Sequence, residues 1–172
     1  LKAHEYRVTE ILRDGGRLEV RALKPQDRDE LVAAAGRSSG ETLALRFFSP
    51  KRGFSEKEIE YYTHVDFVSH VALVAAVDEA GEPLVVGGGR YIVAQPGRAE
   101  IAFTIEDAHQ GRGIASLLLR HLAKIARAAG LKELFAEVLP GNAPMLKVFE
   151  RSGLAMSRKR EHGAVHVTLR LD

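Results

Sequence analysis

The stretch from Ala99 to Ala129 constrains this chain more than any other. Residues 99–105 alternate in a strand pattern, Glu106-Asp107-Ala108-His109-Gln110-Gly111-Arg112-Gly113 follows, and then Ile114, Leu117, Leu118, Leu122, Ile125 and Ala129 recur at spacings of three and four. That spacing predicts an amphipathic helix from about Gly113 to Ala129, stopped by Gly130. A strand, a glycine-bearing loop and a helix in this order turn free backbone N–H groups toward one point, and the aligned peptide dipoles add partial positive charge there. Gly111 and Gly113 present no Cβ, so the backbone can close on an anion, and Arg112 offers a charge-assisted contact. Taken alone, these residues leave a phosphate site and a plain tight turn equally open. The loop lacks Gly-Lys-Ser/Thr, which excludes a P-loop, and it lacks the Gly-x-Gly-x-x-Gly of dinucleotide-binding sheets.

The rest of the chain supplies a sheet for that unit. Residues 134–138 are apolar and β-prone, and a crossover through the helix makes them a strand parallel to 99–105. Residues 18–23 alternate as a half-buried strand, and Pro25 then opens a helix with Leu31, Val32 and Ala35 on its apolar face, ending near Gly36. Ser55 with Glu58 forms a capping box for a second helix through about Tyr62. Residues 71–77 and 84–86 flank a turn-rich hexapeptide, and 91–93 and 99–105 flank Gln95-Pro96-Gly97-Arg98, so two hairpins are predicted. A short helix near 144–152 ends at Gly153, and 165–171 alternates into a last strand. The expectation is an α/β (α+β) domain over residues 17–172. Its mixed, mostly antiparallel sheet holds about six to seven strands, one parallel pair among them, with about four flanking helices. Residues 1–16 carry charges throughout and lack a signal-peptide core, so an N-terminal arm or linker is expected there.

Composition narrows the chemistry. Lys and Arg number 25 against 23 Asp and Glu, and a net charge of +2 gives no field that would recruit nucleic acid or an anionic membrane. Without cysteine there is no disulfide, thiolate nucleophile or Cys-ligated zinc, which fits a reducing cytoplasm, the expected location. The longest apolar runs fall far short of the roughly 20 residues of a membrane helix. Tyr61, Tyr62, His64, His162 and His166 show no metal-ligand spacing, and no metal is expected.

Gln110-x-x-Gly113-x-Ala115 after a strand resembles the Gln/Arg-x-x-Gly-x-Gly/Ala signature of the GNAT family of N-acetyltransferases. Asn142-Ala143-Pro144-Met145 through Phe149-Glu150-Arg151-Ser152-Gly153-Leu154 is similar to that family's later segment, and the order of elements from Leu18 to Leu171 is the family's order. The resemblance implies acetyl-CoA as co-substrate. It places the pyrophosphate on the backbone of Gln110, Gly111, Arg112, Gly113, Ile114 and Ala115. The pantetheine arm would lie between two splayed parallel strands along Phe103, Thr104 and Ile105, where a backbone N–H would stabilise the oxyanion. Asn142 is open between a contact with pantetheine or water and a helix N-cap.

A lysine amine, with a pKa of about 10.4, must lose a proton before it attacks, so a base is needed. Alternation puts Glu100, Ala102 and Thr104 on one face of the strand and Ile101, Phe103 and Ile105 on the other. Glu100 is the expected base, buried on a central strand so that its pKa rises; the alternative is a strand-end glutamate that meets solvent or pairs with Arg98. Many relatives carry a tyrosine seven residues after the Asn as acid to the thiolate, but Phe149 stands there, so no group is assigned to that proton. His109 is expected to face solvent.

Leu45-Arg46-Phe47-Phe48, the Tyr61 to Asp66 region, Val86-Gly87-Gly88-Gly89-Arg90-Tyr91 and Ala99-Glu100-Ile101-Ala102 resemble the bacterial protein lysine acetyltransferases of the Pat type, which modify acyl-CoA synthetases. Phe47 and Phe48 are expected to plug the core beneath their loop. The resemblance implies a protein lysine as acceptor, and leaves open a catalytic domain whose regulatory domain is absent from this chain or a single-domain member. Two other functions stay open: acetylation of a small-molecule amine, and a non-catalytic acyl-CoA-sensing module, which Phe149 would suit.

Overall fold

A computed structural model of the chain describes residues 1–36 and 55–172. Arg46, Phe47 and Phe48, expected near the acceptor, lie outside the described residues. The chain opens with β1 (Arg7–Ile11) and β2 (Arg17–Ala22), an antiparallel pair in which Val8 faces Val20. Pro25 sets the first turn before α1 (Arg28–Gly36), and Asp27 anchors that turn to β2. Its two carboxylate oxygens each take a 2.8 Å bond from Arg21, and the Lys24 N–H donates to Oδ2 at 2.8 Å. Burial pushes the Asp27 carboxyl up, but these bonds outweigh it and hold it below its ordinary value. Helix α2 (Glu56–Thr63) begins with the predicted capping box: Glu58 N–H donates to Ser55 Oγ, and Ser55 N–H to Glu58 Oε1.

Strands β3 (His70–Glu79), β4 (Glu82–Gln95) and β5 (Arg98–Ile105) form the centre of the sheet. Helix α3 (Ile114–Ala128) crosses over from β5 to β6 (Glu133–Val138), and this makes β5 and β6 the parallel pair. Helix α4 (Ala143–Glu150) and the hairpin β7 (Ala155–Glu161) and β8 (Ala164–Arg170) complete the chain. The strands form a single eight-stranded sheet in the order β1-β2-β3-β4-β5-β6-β8-β7, with every other neighbouring pair antiparallel. Four α-helices flank it among the described residues. Leu118, Leu119, Leu122 and Ile125 of α3 are buried in the same core cluster as Ile101 and Phe103 of β5. Each such side chain contributes about 1.5–3 kcal/mol. A smaller cluster with Leu23, Ala72, Val74 and Val85 lies beside Leu31 of α1.

Three differences from the expected sheet bring it to eight strands: β1 and β7 are added, and two expected segments are one strand. Residues 1–16, expected to be an arm or linker, contribute β1, and Tyr6 and Leu12 are buried in the main core. Strand β7 reads Ala-Met-Ser-Arg-Lys-Arg-Glu and is almost wholly exposed, so no apolar alternation marks it. The segments 84–86 and 91–93 are one strand, joined through Gly87-Gly88-Gly89. Here neighbouring chains come too close for side chains. A Cβ on Gly87 would stand 2.3 Å from the Thr104 carbonyl oxygen, one on Gly88 2.5 Å from that of Leu73, and one on Gly89 2.7 Å from the Phe103 ring. No helix among the described residues is long and apolar enough to cross a membrane.

Candidate active site

The site begins where β5 and β6 stop pairing. Their register holds Arg98 to Glu133, Ala99 to Leu134 and Glu100 to Phe135, and goes no further. Beyond Glu100 the two strands part, leaving to the gap the backbone groups of β5 that pairing with β6 would have used. The resulting cleft, of about 770 Å³, is lined by Phe103, Thr104 and Ile105 on one side and Ala136 and Val138 on the other, with the glycine loop at its end.

That loop has the backbone an anion site needs. Gly113 caps α3 at φ +85°, and the first intrahelical bond runs from Leu117 N–H to Gly113 C=O at 3.2 Å. The N–H groups of the turn before Leu117 therefore have no acceptor within the helix, and Gly113 has no side chain to cap them. Gly111, at φ +79°, has open space where a Cβ would point. Gln110 Nε2 donates to the Ile105 carbonyl at 3.1 Å, tying the loop to the end of β5. Gly111, Gly113, Ile114 and Ala115 all line the cleft, so the chain fits a long ligand with a phosphate group at the helix end and a slender arm between the strands.

Arg112 does not point its charge at that anion site. Its Nε donates to Asp14 Oδ2 at 2.7 Å, its Nη2 to Asp14 Oδ1 at 3.3 Å, and its Nη1 lies 2.9 Å from His109 Nδ1. This pairing holds the Asp14 carboxyl below its ordinary value. His109 is likewise not turned to solvent. Its ring bridges Arg112 and the buried Glu106, whose Oε1 lies 3.3 Å from Nε2. Donation by Arg112 to Nδ1 leaves the imidazole proton on Nε2, facing Glu106. Asn142 caps α4, its Oδ1 accepting from Met145 N–H at 3.2 Å, while the residue also lines the cleft. Phe149 is buried against Phe103, the ring centroids 6.3 Å apart.

Glu100 stands at the apex of the parting strands but is exposed, not buried as expected. A central strand alone does not cover a side chain; an element must pack on that face, and at Glu100 the face stays open among the described residues. Further along the same face, Ala102 and Thr104 line both the cleft and a second, smaller cavity of about 100 Å³ under α1 and α2. That cavity is largely apolar, with Leu31, Ile59 and Tyr62 on one wall and the polar side chains of Arg90 and Glu106 at its edge. Arg90 donates to the Tyr62 carbonyl at 3.0 Å and lies 4.8 Å over the Tyr62 ring. The cleft and this cavity share two lining residues, Ala102 and Thr104. Sequence reasoning passed over Arg13, Arg90 and Glu106. Arg13 lies in the segment expected to be an arm, and Arg90 and Glu106 stand inside quoted segments in which no spacing assigns either of them a role.

The acetyltransferase (GNAT) pattern matches residues 41–154, and the chain belongs to that family. It is therefore an acetyl-CoA-dependent acetyltransferase with the family's fold. Its structure is similar to that of the GNAT domain of S. lividans Pat, at 38% identity and a TM-score of 0.86, over 95% of this chain and 96% of that one. It is 32% identical over 137 residues to the acetyltransferase PA5475 of Pseudomonas aeruginosa, covering 79% of this chain and 74% of that protein. With the acetyltransferase Pat of Mycolicibacterium smegmatis it shares 31% identity over 150 residues, 86% of this chain and 44% of that protein. The chain thus spans less than half the length of that Pat relative.

Proposed function

We propose that this domain transfers an acetyl group to the side-chain amine of a lysine on a protein, an acyl-CoA synthetase being the proposed substrate class, with Glu100 as general base. Likeness to two Pat proteins supports the protein acceptor. The observation that supports the mechanism is the end of β5–β6 pairing at Glu100, the last paired residue before the strands part, on the strand face it shares with the cleft-lining Ala102 and Thr104.

Bound acetyl-CoA supplies an acyl group already activated as a thioester. The chain's part is to orient and to move protons. Gln110 to Ala115 hold the phosphates by backbone, Phe103 to Ile105 hold the arm and offer an N–H to the carbonyl oxygen, and Asn142 fixes the start of α4 beside the cleft. Being exposed, Glu100 takes the amine's proton directly or through one water. Phe149 has no proton to give, so the thiolate leaves unassisted by that residue; a thiol of pKa about 8.5 makes this feasible near neutrality. We extend the proposal to a cytoplasmic protein under the control of a further domain; the further domain is supported by the Pat relative, more than twice as long as the region it shares.

The test is to incubate the protein with radiolabelled acetyl-CoA and a cell lysate, then map the label. Label on protein lysines is expected, and label confined to small molecules overturns the lysine reading. Glu100→Gln then tests the base: binding of acetyl-CoA persists and turnover is lost.

A further inference from the structure

We infer that Arg13, in the turn between β1 and β2, is the cation that meets the pyrophosphate of coenzyme A, and that Arg112 is the latch that holds this turn in place. The inference concerns the donor cleft alone and stands whichever amine is the acceptor.

The turn is rigidly closed. Leu12 N–H donates to Gly16 C=O and Gly15 N–H to Leu12 C=O, both at 2.8 Å, with Gly15 at φ +88°. Asp14 Oδ1 accepts from Gly16 N–H at 2.8 Å, and the same carboxylate takes two bonds from Arg112. Gly16 makes room for this clasp, since a Cβ there would stand 2.7 Å from Arg112 Nη2. The clasp joins positions 98 residues apart and docks the β1–β2 turn against the glycine loop.

Docked in this way, Arg13 reaches the helix end. Its Nη2 and Nε lie 3.5 and 3.8 Å from the place a Cβ on Gly113 would occupy, so the guanidinium lies beside the backbone that opens α3. Arg13 lines the donor cleft together with Gly111, Gly113 and Ile114. Unlike Arg112, it makes no ion pair or hydrogen bond with any described residue. A guanidinium held against the positive end of a helix dipole is repelled until an anion arrives between them. The two arginines therefore divide the work: Arg112 is neutralised by Asp14 and serves position, while Arg13 keeps its charge for the ligand.

Calorimetric titration of the intact protein with coenzyme A and with 3′-dephospho-coenzyme A, neither needing an acceptor or turnover, tests this. Arg13→Gln should weaken both ligands about tenfold, the loss of one charge-assisted contact, with partial recovery in Arg13→Lys and a smaller effect as salt rises. Wild-type affinity in Arg13→Gln overturns the assignment. So does a loss for coenzyme A that spares the dephospho form, which would move Arg13 to the 3′-phosphate. For the latch, Arg112→Gln should weaken binding alone and add nothing further in the Arg13→Gln background. Additive losses overturn that role by placing Arg112 on the phosphate itself. Thermal melts of each variant separate lost folding from lost contact.

Discussion

Gly113 opens α3 at φ +85°, a conformation that costs an L side chain roughly 1–2 kcal/mol, while a Cβ there would only make ordinary contact with the Arg13 guanidinium, at 3.5 Å. Gly113→Ala is expected to lower stability by about that amount and to weaken acetyl-CoA binding at least as much as loss of Arg13, read by denaturant melts and calorimetry. For Glu100→Gln, kcat should fall about 10²–10⁴-fold with the dissociation constant of acetyl-CoA unchanged, which steady-state kinetics and calorimetry check together. Asp66 gives a pH test away from the site. It accepts from the Ser69 hydroxyl at 2.6 Å and from the N–H groups of Val68, Ser69 and His70 at 2.9 to 3.0 Å, and these bonds bring its pKa down from 3.8 to about 2. A depressed carboxylate stabilises the fold above its unfolded pKa and loses that contribution as pH falls from about 4 through about 2. Because Asp66 is exposed, the contribution is screened to about 1 kcal/mol. Chemical denaturation should show Asp66→Asn less stable than wild type by that much at pH 6, the gap closing as pH falls through about 2.

Strand β4 shows what an element needs beyond propensity. Three consecutive glycines break the β-branched pattern, so residues 84–86 and 91–93 look like two strands, yet close approach by Thr104, Leu73 and Phe103 makes glycine the residue that fits. Gly88→Ala is expected to cost about 2 kcal/mol or more by denaturant melts, because the obstacle at 2.5 Å is the Leu73 backbone oxygen and not a side chain that can turn away. Helices were more legible. The three-and-four spacing of α3 and the Ser55 and Glu58 capping box are local patterns whose hydrogen bonds span four residues or fewer, and both elements stand where those patterns put them. Strand β7 was illegible because it lies at the sheet edge, where exposed lysine and arginine guard against further pairing and leave no apolar alternation.

At the scale of the molecule, the N-terminal sixteen residues are part of the domain. Tyr6 Oη lies 2.5 Å from Nδ1 of the buried His121 in α3, and His121 Nε2 lies 2.9 Å from Glu10 of β1, whose carboxylate also pairs with Arg120. Deleting residues 1–16 is therefore expected to destabilise the fold by several kcal/mol, through lost burial of Tyr6 and Leu12, and to weaken coenzyme A binding. Urea melts of the truncated chain check this; a mere linker would leave the midpoint unchanged.

Local sequence determined the strand, loop and helix proposed to hold the donor, the face on which Glu100 lies, and through the signature from Gln110 to Ala115 the family itself. Each of these depends on backbone geometry and periodicity within a few residues. Tertiary structure decided where β5 and β6 part, whether Glu100 is covered, and which arginine, free among the described residues, lies beside the opening of α3. Arg112 sits inside the motif but is claimed by Asp14 from 98 residues away, while Arg13 is carried to the helix end by a turn that the loop itself clasps. A side chain's partner is chosen by three-dimensional proximity and charge, and neither is written in the spacing of its neighbours along the chain.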